Sequence, residues 1–127
     1  MEINIQLSNL LNINAALKEI IENNDTRNME PVFKFRLLTI MKSMENHITN
    51  FDIIRNEKIK EYGKADENNK IIVSPDDKEN FEKFVQDMNT LLNSEVAINI
   101  TKLKADDVFS KGIPAEYLVK LYDIMEE

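Results

Sequence analysis

The chain has 127 residues, 43% of them apolar and 31% charged, with a net charge of −7, a single histidine and no cysteine or tryptophan. That length is enough to bury roughly two thirds of the unfolded surface, so residues 1–127 are expected to form a single domain, and without cysteine there can be no disulfide, thiolate metal site or cysteine nucleophile. A negative balance opposes direct binding to nucleic acid or to an anionic membrane, because neutralising phosphate takes surplus Lys and Arg.

Ile3, Ile5 and Leu7 alternate with polar neighbours, the period of a short half-buried strand or of the frayed start of the next helix. From Ser8, a plausible cap, the period lengthens: Leu10, Ile13, Leu17 and Ile20 step by three and four and predict a helix ended by Asn23-Asn24-Asp25-Thr26. Met1 to Gln6 contains no basic region leading into an apolar run, and no window approaches about 18 apolar residues, so neither a secretory signal nor a membrane span is expected.

Pro31 suits the first turn of a helix and Gly63 a left-handed cap beyond its end. The helix between them, about 32 residues, would span roughly 48 Å at 1.5 Å per residue. Along it Leu37, Ile40, Met44, His47, Phe51 and Ile54 alternate steps of three and four, as in a coiled coil. Two faces of this helix are expected to be covered, and self-association along the Leu37 to Ile54 seam is a candidate way to cover one.

After a polar turn, Ile71-Ile72-Val73 reads as a brief strand. Ser74-Pro75-Asp76-Asp77 reads as a helix start with a hydroxyl cap, and Phe81, Phe84, Val85, Met88, Leu91 and Leu92 form the stripe of that helix, closed by Asn93-Ser94. Val96, Ile98 and Ile100 alternate as a second strand, able to pair with Ile71–Val73 and with Ile3–Leu7. Pro114 opens a last helix carrying Leu118, Leu121, Tyr122 and Met125, with Gly112 as a hinge before it. The expected class is α+β, mainly α: one long central helix, two or three shorter helices, and a small two- or three-stranded antiparallel sheet.

Several features recur together: Lys-Glu-Tyr-Gly (Lys60 to Gly63), the charged turn with Ile71-Ile72-Val73, Leu91-Leu92-Asn93 followed by Ser94-Glu95-Val96, Leu-x-Ala-Asp-Asp (Leu103 to Asp107), and Pro-Ala-Glu-Tyr-Leu (Pro114 to Leu118). In this order, over residues 8–125, they resemble a family of small uncharacterised proteins encoded by bacteriophages of low-GC bacteria. The resemblance implies an α-rich fold and a phage origin, with the infected host's cytoplasm or the virion as the place of action. It implies no activity, cofactor or functional residue. Family members tend to have Thr or Ser before the proline of the last helix, where this chain has Ile113, a difference that would weaken that cap by about 1 kcal/mol.

Chemistry finds little to stand on. His47 is alone, whereas a catalytic triad needs an imidazole beside a nucleophile and a zinc site needs several nitrogen or sulfur ligands; its place on the apolar seam suits a packed or interface side chain. Asp66, Asn68, Ser74 and Asp77 fall at calcium-loop positions, but Lys70 and Ile71 stand where that loop needs a ligand and a glycine. Gly63 and Gly112 are too far apart for a phosphate loop. The pairs Glu79/Glu82 and Asp106/Asp107 read as solvated faces and caps. No cofactor, metal or enzymatic activity is expected.

Charge is distributed unevenly. Residues 27–60 carry seven Lys or Arg against four Asp or Glu, and residues 61–95 carry four against nine. Within the second stretch Asp76, Asp77, Glu79, Glu82, Asp87 and Glu95 form a candidate acidic binding surface, interrupted by Lys78 and Lys83, that would suit a basic groove on a nucleic-acid-binding protein. Phe33, Phe35, Phe51, Phe81 and Phe84 are expected in the core. The functional expectation is a non-catalytic binding protein that modulates or inhibits a host protein, such as a defence or nucleic-acid enzyme. The alternative is a virion accessory or head or tail assembly protein that self-associates through the long helix.

Overall fold

Alternation at the start of the chain becomes strand β1 (Glu2–Gln6), with Ile5 buried, and runs without a loop into helix α1 (Leu7–Glu22). The computed structural model describes residues 1–22, 29–110, 113 and 115–126. The expected stop at Asn23-Asn24-Asp25-Thr26, the Gly112 hinge and the Pro114 helix start therefore lie outside the described residues. Helix α1 buries Leu10, Ile13, Leu17 and Ile20, the positions its spacing picked out, and Leu7 just before the Ser8 position where a cap was expected.

Helix α2 (Pro31–Tyr62) is a single 32-residue helix. The following segment folds back as a hairpin of β2 (Lys64–Ala65) and β3 (Ile71–Ile72), then leads through a turn to α3 (Lys78–Leu92). Strand β4 (Glu95–Asn99) pairs antiparallel with β1. A short strand β5 (Leu103–Lys104), helices α4 (Ala105–Ser110) and α5 (Ala115–Lys120), a 3₁₀ turn (Tyr122–Ile124) and strand β6 (Met125–Glu126) complete the order, β6 running parallel to β5. The protein is α+β and mainly α, with one long helix and small sheets.

The chain divides into two compact units, Met1–Glu45 with Glu95–Glu127, and Asn46–Ser94. In the first, the apolar faces of α1 and the beginning of α2 share a core with Ile98, Val108, Leu121 and Ile124, and α5 packs on α1. In the second, Met88 is the one buried apolar side chain among the described residues, and Phe81, Phe84, Leu91 and Leu92 are half-buried.

Four local expectations are corrected. Ile71-Ile72 does not join the β1–β4 sheet; it pairs with Lys64-Ala65, a nearby partner reached across a short turn with little loss of chain entropy. Ser74 does not cap α3. Its Oγ accepts from the Asp76 N–H at 3.2 Å and its carbonyl from the Asp77 N–H at 3.1 Å, making a separate turn, so α3 begins three residues later than a Ser74 cap implies, with Asp77 at its N-cap. The last helix ends at Lys120, and Tyr117, Leu121 and Ile124 are buried there while Tyr122 is exposed. Gly63 is not left-handed; glycine is needed because a Cβ there would collide with the Ile59 carbonyl oxygen and come within 2.8 Å of the Ile72 carbonyl oxygen.

Candidate functional site

The acidic residues picked out in the sequence do not act as one field. Asp77 stands at the N-cap position of α3 without a side-chain cap hydrogen bond; its carboxylate lies 3.3 Å from the Lys64 ammonium and accepts from the Asn80 side-chain amide at 3.2 Å. Glu79 pairs with Lys83 one turn along at 3.2 Å. Asp87 accepts from the Tyr62 hydroxyl at 2.9 Å and lies 3.5 Å from Lys58. Asp76 and Glu82 are exposed. Glu95 is exposed on β4 in the other unit, opposite Gln6 of β1. Lys83 was seen in the sequence as an interruption; Lys58 and Lys64 are brought in by the fold.

The apolar stripe of α3 is less covered than its pattern predicts. Val85 is 37% exposed, and only Met88 of the six stripe positions is buried. A shallow cavity of about 410 Å3 runs along this helix, with Phe81 and Val85 next to Glu82, Gln86 and Asn89 in its lining. Carboxylate and aromatic side chains thus share one open strip along the helix.

On α2 the candidate seam splits. Leu37, Ile40 and Met44 are buried in the core of the first unit, so this half of the seam is already occupied by the chain's own side chains and is not offered to a second copy. His47 and Phe51 are half-buried and Ile54 is 36% exposed. The exposed apolar side chains of the helix's first turns are Val32, Phe35 and Leu38; Phe35, expected in the core, is 69% exposed. Their spacing of three places them along one side of the helix.

The calcium-like stretch is a hairpin turn. Asp66 Oδ1 accepts from the Asn68 and Lys70 N–H groups at 2.8 and 2.9 Å, and Asn69 takes a positive φ of 61°, a conformation asparagine tolerates better than most residues. The Asp66 carboxylate is engaged by the turn it closes.

Lys58, Tyr62 and Tyr117 have shifted titrations. Lys58 is raised by its hydrogen bond to Glu61 first, Tyr62 by its hydrogen bond to Asp87, and Tyr117 by its hydrogen bond to Glu19. Each shift stabilises the protonated form, so these groups bind and brace rather than give up protons near neutrality. Among the described residues no group of three or more His, Cys, Asp or Glu is placed to hold a metal ion, and no helix is long and apolar enough to cross a membrane.

A cavity of about 800 Å3 lies in the first unit beside β1, with Asn4, Gln6, Lys102, Asp123 and Glu126 among its lining residues. Sequence reasoning missed it, because the outward Glu2, Asn4 and Gln6 are ordinary solvent-side strand residues until the pairing of β1 is known.

No family model, curated protein or solved structure matches this chain.

Proposed function

We propose that the chain is a non-catalytic, phage-encoded binding protein that modulates a host protein through the exposed face of α3. The phage origin rests on the sequence resemblance. One observation carries the binding reading: the shallow, open strip along α3, in which Phe81 and Val85 lie beside Glu82. An apolar strip edged by carboxylate suits a partner that brings an apolar ridge with Lys or Arg at its margin, the first for affinity and the second for orientation and rate of encounter. Asp76 and Glu82 supply the exposed charge, whereas Asp77, Glu79 and Asp87 are drawn into lysine pairs within the unit.

The test is affinity capture from host lysate followed by titration of the purified partner against Val85→Asp and against Asp76→Lys with Glu82→Lys. Binding should weaken about tenfold or more in each, and the charge-reversed form should lose most of the salt dependence. Failure to recover a stoichiometric partner, or equal affinity in all forms, overturns the reading.

A second reading, self-association in a virion or assembly role, is supported by the exposed Val32, Phe35 and Leu38 on α2. Light scattering of the wild type and of Phe35→Asp decides it: an oligomer that the substitution dissolves supports it, and a wild-type monomer rules it out.

A further inference from the structure

We propose that the free edge of β1 is a strand-addition site that takes an extended, lysine- or arginine-bearing segment of a partner protein. This site lies apart in the chain from the α3 face and does not depend on it.

Hydrogen-bond phase along the sheet carries the inference. The Ile100 N–H donates to the Met1 carbonyl at 2.9 Å, and the register pairs Glu2 with Asn99, Ile3 with Ile98 and Asn4 with Ala97. Bonded and non-bonded pairs alternate along an antiparallel ladder. Ile3 and Ile5 therefore direct their backbone groups at β4, and Glu2, Asn4 and Gln6 direct theirs away from it. The Gln6 carbonyl is at the start of α1, where it serves the first helical turn. What remains on the outer edge is the N–H and C=O of Glu2 and of Asn4 and the N–H of Gln6, at intervals of about 6.8 Å, the two-residue repeat of an incoming strand. Among the described residues β1 pairs with β4 alone.

The cavity of about 800 Å3 adjoins that strand, its lining including Ile3, Asn4, Ile5 and Gln6 of β1 together with Glu95 of β4. It falls within the range of about 300–1,000 Å3 typical of ligand sites. Its charge favours the occupant: Glu95, Asp123 and Glu126 line it against Lys102 and the Met1 ammonium, which donates to Asn99 Oδ1 at 3.0 Å, leaving a negative balance. Main-chain bonds to β1 supply affinity, and alternate basic side chains of the added strand meet the carboxylates. Tyr122 and Met125 add apolar surface for the side chains between them.

The probe is a blocked hexapeptide of alternating lysine and valine, with an alternating glutamate and valine hexapeptide as the control. Titration should show saturable binding of the lysine peptide, at least about tenfold tighter than the control. Amide hydrogen exchange at Asn4 and Gln6 should slow about tenfold on saturation. Asn4→Pro removes an outward donor without touching the bonds to β4 and should abolish binding. If circular dichroism shows that variant to be unfolded, Glu95→Lys with Asp123→Lys decides, with an expected loss of about tenfold or more. No saturable binding up to about 1 mM, equal binding of both peptides, or binding unaffected by the variants overturns the proposal. A dimer that Asn4→Pro converts to a monomer also overturns it, by assigning the edge to a second copy of the chain.

Discussion

The Tyr62 hydroxyl donates to Asp87 Oδ2 at 2.9 Å, joining the end of α2 to the middle of α3 within one unit, and the Lys58 ammonium lies 3.5 Å from the same oxygen. A carboxylate that the sequence groups with an acidic surface is thus a tie between two helices. The hydrogen bond, then desolvation and the charge of Asp87, hold the Tyr62 phenol above its ordinary value of 10.0. A raised folded-state value means that the neutral phenol contributes stability fully below about pH 10 and loses it as pH rises through its folded-state value. Tyr62→Phe should lower the melting temperature at pH 7 and make the fall in stability above pH 10 shallower than in the wild type. The flattening should be partial, because Tyr117 is raised in the same direction by Glu19. Thermal melts between pH 7 and 11 measure both effects, and identical alkaline slopes would show that Tyr62 is not coupled to folding.

The two ends of the α2 seam should respond differently to truncation. Leu37 is fully buried and Ile54 is 36% exposed. Leu37→Ala should cost about 3 kcal/mol, the combined loss of transfer energy and creation of a cavity. Ile54→Ala should cost less than about 1 kcal/mol. Urea denaturation of the two variants compares them; equal costs would mean that Ile54 is covered in solution.

Gly63 follows directly on α2, its N–H donating to the Ile59 carbonyl at 2.7 Å. A methyl group there meets two backbone oxygens, neither of which can rotate away as a side chain would. Gly63→Ala should therefore destabilise the β2–β3 hairpin by about 1–3 kcal/mol, the range of overpacking in a closed site. Chemical shifts of Lys64, Ala65, Ile71 and Ile72 would report the change, and a variant as stable as the wild type would contradict the close approach.

How far the fold was legible depends on the range of the interactions that decide each element. The 3.6-residue period located α1 and α2 well, because a helix satisfies its backbone locally and its buried stripe, such as Leu10, Ile13 and Leu17, repeats within one segment. Strand pairing was less legible: Ile71-Ile72 and Val96-Ile98 look alike in sequence, and only the hairpin turn at Asp66 decides which neighbour the former takes. Helix α4 was missed as a helix, since six residues carry too little periodicity to register beyond the acidic first turn Asp106-Asp107. At the candidate surfaces, the charge of Asp77 and Asp87 was legible but their lysine partners were not. Lys64 and Lys58 are sequence-distant and arrive only through the turn that follows α2. Phe35 was misplaced because its residue type argues for burial, while the helical face it occupies lies away from Phe33, Leu37 and Ile40.

The uneven distribution of buried side chains predicts two levels of protection from hydrogen exchange. In Asn46–Ser94 Met88 alone is a buried apolar side chain among the described residues, whereas α1 by itself buries Leu10, Ile13, Leu17 and Ile20. Regions with few buried apolar contacts open at lower free energy than a well-packed core. The backbone amides of α3 should therefore exchange faster than those of α1 under native conditions, even though both are regular helices of similar length, 15 and 16 residues. Met88→Ala, which removes the one buried apolar anchor of that unit, should speed exchange throughout α3 and leave the Leu10 to Leu17 amides of α1 unchanged. Residue-resolved exchange of the wild type and the variant measures this. If α1 and α3 exchange at the same rate, or if Met88→Ala accelerates both equally, the units unfold as one and the uneven core does not set local stability.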